Sequence, residues 1–311
     1  MRLYFATDIH GSETCFRKFL KCHEFYDADV LALGGDMTGK ALLPIVETAE
    51  GRYWAELQET RHEFSGADEL ARYESMIRER GFYPFSTTQD ELNDLRHDPR
   101  RLDELFEEAM ISTVERWVAL ADERLAGTDV RVFVCPGNDD EATIDEVLAA
   151  STRLEVAEGR VIDVDGYQLL STGWSNVTPW RTYREEDEPK LAQRLEAMVS
   201  SATAPPERLV FNFHCPPAGT ALDEAPKLTD DLMATGHETS HVGSTAVRQV
   251  IEEAQPLLSL HGHIHESRGA VRLGRTLSIN PGSSYEQGML QGVVVDLDGR
   301  GKIKRYRLTT G

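Results

Sequence analysis

Three histidines in five positions, His261-Gly262-His263-Ile264-His265, form the densest group of metal-binding side chains in the chain. Imidazole is the commonest metal ligand. Other polar groups stop short apolar runs elsewhere: Asp8 with His10, Asp36, Asn138 and His214. One such residue alone means little, because Asp and Asn are ordinary turn residues after a strand. Together they mean more, since bare carboxylates brought into one cluster repel each other unless a cation lies between them. Two carboxylates (Asp8, Asp36), one amide oxygen (Asn138) and four imidazoles (His10, His214, His263, His265) exceed the needs of one tetrahedral zinc with an open position. They suit two ions about 3.5–4 Å apart sharing a carboxylate, an arrangement built for in-line displacement at phosphorus. Mixed nitrogen and oxygen ligands favour manganese first, with iron, zinc or nickel as further options, over magnesium or calcium alone.

The elements that position these groups follow from the apolar runs. Residues 2–7 read as a strand that stops at Asp8, and a helix follows with Ser12 as N-cap and Phe16, Phe19 and Leu20 on one face. Residues 29–33 form the next run and stop at Gly34-Gly35-Asp36, which makes a βαβ unit with both carboxylates at the carboxyl edge of a parallel sheet. Residues 130–134 lead into Asn138-Asp139, 208–213 into His214, and 256–260 into the histidine cluster. Residues 160–165 and 167–172 pair around Asp165-Gly166, and 292–296 with 302–308 make a closing hairpin. The expectation is one α/β domain over 1–311, interrupted at 44–127 by a helical insertion that serves as a cap or a dimer arm. Its clearest signal is the spacing of Leu102, Leu105, Phe106, Ala109, Thr113, Trp117 and Leu120. Residues 81–99 and 218–241 read as loops, on their turn residues and breakers.

Composition limits the partners. With 33 basic against 53 acidic residues the formal net charge is -20. Such a surface repels a long phosphate backbone, but bound cations can invert the local field for a small nucleotide. The longest apolar runs are far too short to cross a bilayer. The opening run is cut by Asp8 too early for a secretory signal, and the four cysteines lack zinc-knuckle spacing. A cytoplasmic protein with reduced thiols is the expectation, with Cys135 and Cys215 filling space behind the ligand motifs.

Taken in order, Asp8-x-His10, Gly35-Asp36, Gly137-Asn138-Asp139, His214 and Gly262-His263-x-His265 resemble the motifs of the calcineurin-like metallophosphoesterases. The resemblance spans residues 8 to 265 and implies a four-layer α/β/β/α sandwich with a dimetal site at the sheet edges. It implies that Asp8, His10 and His265 hold one metal, that Asn138, His214 and His263 hold the other, and that Asp36 bridges them. A hydroxide between the ions would attack phosphorus. A small phosphoester or nucleotide is then the expected partner, with a phosphomonoesterase, a protein phosphatase or a catalytically silent scaffold as alternatives. Asn280-Pro281-Gly282-Ser283 resembles a late segment in parts of the family.

One residue departs from the pattern. Many members carry an acid histidine after the Gly-Asn pair, where this chain has Asp139. Members with other residues there include phosphodiesterases and pyrophosphohydrolases, so the departure favours a diester or anhydride substrate. His237 and His241 are the other acid candidates. For substrate contacts the expectation is the backbone at Gly11, at the start of a helix, together with Trp180, Arg181, Tyr183 and Arg184.

Overall fold

The computed structural model describes residues 1–57, 60–229, 231 and 234–311, the side chains of residues 234 and 237 excepted. Two six-stranded sheets carry the frame. Across the first, the strands run Lys302–Thr310, Gln291–Asp298, Arg2–Ala6, Val30–Leu33, Arg131–Val134 and Leu154–Val156. The last four of these are parallel and the C-terminal pair is antiparallel. Across the second they run Gly269–Leu273, Thr276–Asn280, Leu258–Leu260, Leu209–Phe213, Tyr167–Thr172 and Arg160–Val164. Its four inner strands are parallel, flanked by an antiparallel strand at each edge.

Strand alternation divides the apolar residues between three cores. Leu3, Phe5, Val30, Ala32 and Phe133 face Val210, Leu258, Leu260, Leu277 and Ile279 of the opposite sheet. Tyr4, Ala6, Leu31, Leu33 and Val132 point the other way, onto helices α1 (Glu13–Tyr26), α4 (Pro99–Arg124) and α5 (Thr143–Ala149). Beyond the second sheet, Leu170, Phe211 and Phe213 pack on α6 (Glu188–Ser201) and α7 (Thr245–Ala254). Central strands buried on both faces need continuous apolar runs, and such runs are what residues 2–7 and 29–33 contain. The result is the four-layer α/β/β/α sandwich. Ser12 caps α1 by accepting a hydrogen bond from the Cys15 amide, as its position before Phe16 suggested.

The segment 44–127 is not helical throughout. It contains a four-stranded sheet, ordered Thr60–Ser65, Arg52–Leu57, Leu42–Ala49 and Tyr83–Thr88, with α2 (Gly66–Glu79) and α3 (Gln89–Leu95). Leu43, Ile45, Ala55, Leu57 and Ile77 form its own small core. The expected loop 81–99 therefore holds a strand and a helix. The long helix α4 belongs to the frame: Met110, Val114, Trp117 and Ala121 are buried in the same core as Phe16, and Trp117 stacks on Phe16 with ring centroids 4.4 Å apart. Asp98 caps it and Pro99 opens it. Residues 218–241 likewise hold a hairpin, Glu224–Leu228 paired with Ala234–His241.

The inserted sheet touches the frame beside the ligand motifs. The Ser12 hydroxyl donates to the Glu79 carbonyl at 2.7 Å, and the Gly39 amide donates to the Tyr83 hydroxyl at 2.7 Å. Because Trp117 ties α4 to α1, Trp117→Ala should cost about 3–5 kcal/mol of unfolding free energy. Urea denaturation of the two proteins measures it.

Candidate metal centre

Parallel strands deliver their C-terminal ends to one edge of a sheet. Here Asp8, Asp36 and Asn138 leave the ends of three adjacent first-sheet strands, and His214 and His263 leave two adjacent second-sheet strands. The five motifs therefore converge across the seam between the sheets. Asp8, His10, Asp36, Asn138 and His214 are almost wholly buried. Asp8, His10, Asp36 and His263 all have positive φ, between 37° and 67°. For residues with a Cβ this costs about 1–3 kcal/mol each, and such strain collects at functional sites.

Three groups of three form among the described residues, one of them His10, Asp36 and Asp139. Asp8, His10 and His265 present ligand atoms within 4.8 Å of one another, and so do Asp36, His214 and His263. Asp36 faces both groups: its Oδ2 is 3.7 Å from His10 Nε2 and its Oδ1 is 3.3 Å from His214 Nε2. His10 Nε2 lies 3.0 Å from His265 Nε2, and His265 Nε2 lies 3.4 Å from Asp8 Oδ1.

Burial and neighbouring charges set the ionisation of these groups. Burial pushes the Asp36 carboxyl up, but His214 and His10 together outweigh it and hold its pKa well below the ordinary value. Asp8 is likewise held low, with His265 and His214 outweighing burial. Burial lowers His214, yet Asp36 and Asp8 raise its pKa to about 10. Burial wins at His263, which falls to about 4. A protonated His214 thus acts as the cation between two carboxylates, and divalent ions bound there would displace that proton. Two orphaned atoms fit the same account. Asn138 Oδ1 and His214 Nε2 are buried without a hydrogen-bond partner, and both are metal-ligand atoms. The residues present fit two divalent cations.

Supporting contacts aim the ligands. His214 Nδ1 is 3.1 Å from the Gly34 carbonyl, which turns Nε2 into the site. Asp8 accepts from Thr7 Oγ1 at 2.7 Å and from the His263 amide at 3.0 Å, and Asp36 accepts from the Asp139 amide at 3.0 Å. Asn138 Nδ2 donates to Thr182 Oγ1 at 2.8 Å. Two motif glycines are demanded by close approach: a Cβ on Gly35 would lie 2.2 Å from His214 Nδ1, and one on Gly262 would lie 2.2 Å from Asp8 Oδ2.

Sequence reasoning gave no role to several supporting residues. Buried Asp140 accepts from the Met37 and Thr38 amides at 2.9 and 2.8 Å and from the Gly137 amide at 2.6 Å, joining the Asp36 loop to the Asn138 loop. Lys40 Nζ holds Asp139 Oδ2 at 2.9 Å. Within the 280–283 segment, Asn280 Nδ2 donates to the Ile264 carbonyl at 2.9 Å and Ser283 Oγ to the Asp8 carbonyl at 2.6 Å. Asp140 stood in view beside Asn138-Asp139, but a third polar residue in a turn carries no signal of its own.

Some expected substrate contacts are spoken for. The Gly11 amide donates to the Met37 carbonyl at 2.7 Å and is not free for a phosphate. Arg184 is buried, with Nε on the Asp140 carbonyl at 2.9 Å and a terminal nitrogen on Asp145 Oδ1 at 2.7 Å. It clamps the Asn138 loop from behind. Trp180, Arg181 and Tyr183 are exposed on the loop that carries Thr182. Asp139 is raised to about 6 by burial and by Asp36, against the pull of Lys40. His241 Nδ1 pairs with Asp223 Oδ1 at 2.9 Å, and the His237 side chain lies outside the described residues. His261 is buried between Ser259 Oγ and the Phe213 carbonyl, each at 2.8 Å, a structural role. Cys135 and Cys215 are buried free thiols.

No family model matches the chain. An uncharacterised protein of Methanocaldococcus jannaschii, MJ1162, is 29% identical over 174 residues, which is 55% of this chain and 70% of that protein. Among solved structures, one superposes at a TM-score of 0.60 with 17% identity, covering 100% of this chain and 98% of its own. TT1561 of Thermus thermophilus superposes at 0.53 with 15% identity, covering 100% of this chain and 97% of its own. These likenesses show that the chain shares the fold of the two solved structures.

Asp140→Ala leaves three buried amides without acceptors, so it should cost about 3 kcal/mol or more of stability. It should also weaken metal binding about 10–100-fold, the usual loss for a supporting partner. Urea unfolding and a metal titration check the two effects separately.

Proposed function

We propose that the chain is a dimetal hydrolase of phosphate esters, acting on a diester or anhydride of a small molecule or nucleotide. The observation that carries this reading is the convergence of Asp8, His10, Asp36, His214, His263 and His265 across the seam, with Asp36 facing both His10 and His214, beside the loop of Asn138. In the assignment we favour, Asp8, His10 and His265 would hold one ion, Asn138, His214 and His263 would hold the other, and Asp36 would serve both. Divalent ions held by these residues would supply Lewis-acid activation of a water and charge neutralisation at the phosphoryl oxygens. Imidazole with carboxylate ligation supports manganese, with iron, zinc or nickel able to substitute.

The chain's own residues do the rest. Asp8 and Asp36 stay ionised, so they keep two cations close. The hydrogen bond of His214 Nδ1 to the Gly34 carbonyl and the contact of Asn138 with Thr182 hold both ligands in one orientation, which spares reorganisation during reaction. Asp139 stands where the resembled family often carries an acid histidine, and this departure supports a diester or anhydride substrate. The acidic surface supports a small substrate over a long nucleic acid. Among the described residues no helix is long and apolar enough to cross a membrane. Contacts of Glu79 and Tyr83 with the loops bearing His10 and Asp36 support the inserted sheet as a wall of the site.

The manganese-loaded protein should hydrolyse bis-p-nitrophenyl phosphate, and Asp36→Ala or His214→Ala should lower the rate by more than the roughly 100-fold loss typical of supporting residues. Full metal loading with no turnover of any ester would sink the reading. The ligand assignment has its own check. His265→Ala and His263→Ala should each lose one ion per chain, and cobalt-substituted spectra of the two variants should differ because different ions remain. Identical spectra would overturn the assignment.

A further inference from the structure

Lys40 ends the loop that carries Asp36, and it points back to the metal centre. Its Nζ lies 2.9 Å from Asp139 Oδ2, with the lysine side chain 49% exposed and the aspartate 17%. The ion pair therefore sits where the buried ligands give way to solvent. Asp139 has a second partner within reach: its Oδ2 is 4.0 Å from His10 Nδ1. That nitrogen is buried and has no hydrogen-bond partner. His10 Nε2 already faces Asp36 and His265, so Nδ1 carries the proton and needs an acceptor. The carboxylate, whose Oδ1 also accepts from Asn138 Nδ2 at 3.1 Å, thus stands with its Oδ2 between Lys40 and His10 and holds only Lys40 of the two.

We propose that Lys40 is a specificity-determining residue that leaves Asp139 to bind a second anionic group on the substrate, beside the phosphorus under attack. Asp139 then turns to His10 Nδ1–H, and an orphaned donor is satisfied in exchange for a half-exposed ion pair. An ammonium on a flexible stem suits this task, since it meets a phosphate as a movable point charge. A simple diester carries its single charge on the reacting phosphoryl group and offers Lys40 nothing. An anhydride linking two phosphates offers a charged neighbour. The inference deepens the hydrolase reading on which it rests, and narrows the substrate class to phosphoanhydrides such as nucleoside diphosphate derivatives.

Methylenediphosphonate and methylphosphonate, neither hydrolysable, are titrated calorimetrically into the manganese-loaded wild type, Lys40→Met and Lys40→Arg. Lys40→Met should lose about tenfold or more in affinity for the diphosphonate and several-fold less for the monophosphonate, with Lys40→Arg recovering part of the loss. In turnover, the ratio of kcat/KM for diadenosine diphosphate over adenylyl-adenosine should fall about tenfold in Lys40→Met. Equal losses on the two phosphonates, or no loss on either, overturn the inference even if the wild type hydrolyses both nucleotides. A selective loss in a protein that turns over neither nucleotide upholds the role of Lys40 and removes the hydrolase reading instead.

Discussion

Two carboxylates buried beside each other set the terms for this molecule. Asp8 and Asp36 are nearly solvent-free and both remain ionised. Burying unpaired charge is among the costliest things a fold can do. Imidazoles meet the demand in part, with His214 protonated between the carboxylates, but an imidazolium is a large, singly charged substitute for a divalent ion. Much of the surrounding architecture serves to keep the carboxylates in place. Thr7, the amides of His263 and Asp139, and the hydroxyl of Ser283 on the Asp8 carbonyl all bear on these residues.

The sandwich makes such a cluster affordable by placing it at a seam. Each sheet has apolar packing on both faces, so its strands are rigid up to their last residue. The strained backbones at Asp8, His10, Asp36 and His263 lie immediately beyond, where no ladder is disturbed. Asp140 and Asn280 then tie loop to loop: Asp140 joins the Asp36 loop to the Asn138 loop, and Asn280 holds the carbonyls of the His263 loop. Precision comes from these cross-ties as much as from the strands.

The frame and the convergence of the motifs at its seam were legible because two signals coincide: apolar runs that a buried parallel strand explains, and Asp, Asn and His residues where those runs stop. The sheet in the 44–127 segment was not legible. Its strands bury one face only, and residues such as Glu47, Glu56, Arg61 and Glu63 break up the apolar pattern. The helix α4 was recognised by its spacing, but the partner of its apolar face is Phe16, far away in the chain. Arg184 misled for a similar reason. Arginine in a loop beside aromatics suggests a phosphate, and nothing local reveals that Asp145 will meet it. Lys40 carried no signal because a single lysine after a turn belongs to no pattern.

The contact of His10 with His265 joins residues 255 positions apart, and Asp8 meets the His263 amide across the same span. Neither ligand group can close until both sheets have formed and docked. In folding terms these are strongly non-local contacts, and contacts of that kind form slowly and late. A chain still emerging during synthesis, or one cut short before His265, presents scattered single ligands and no pocket. The pocket in which these side chains meet is therefore a property of the finished molecule, and its formation marks the arrival of the last tertiary contacts.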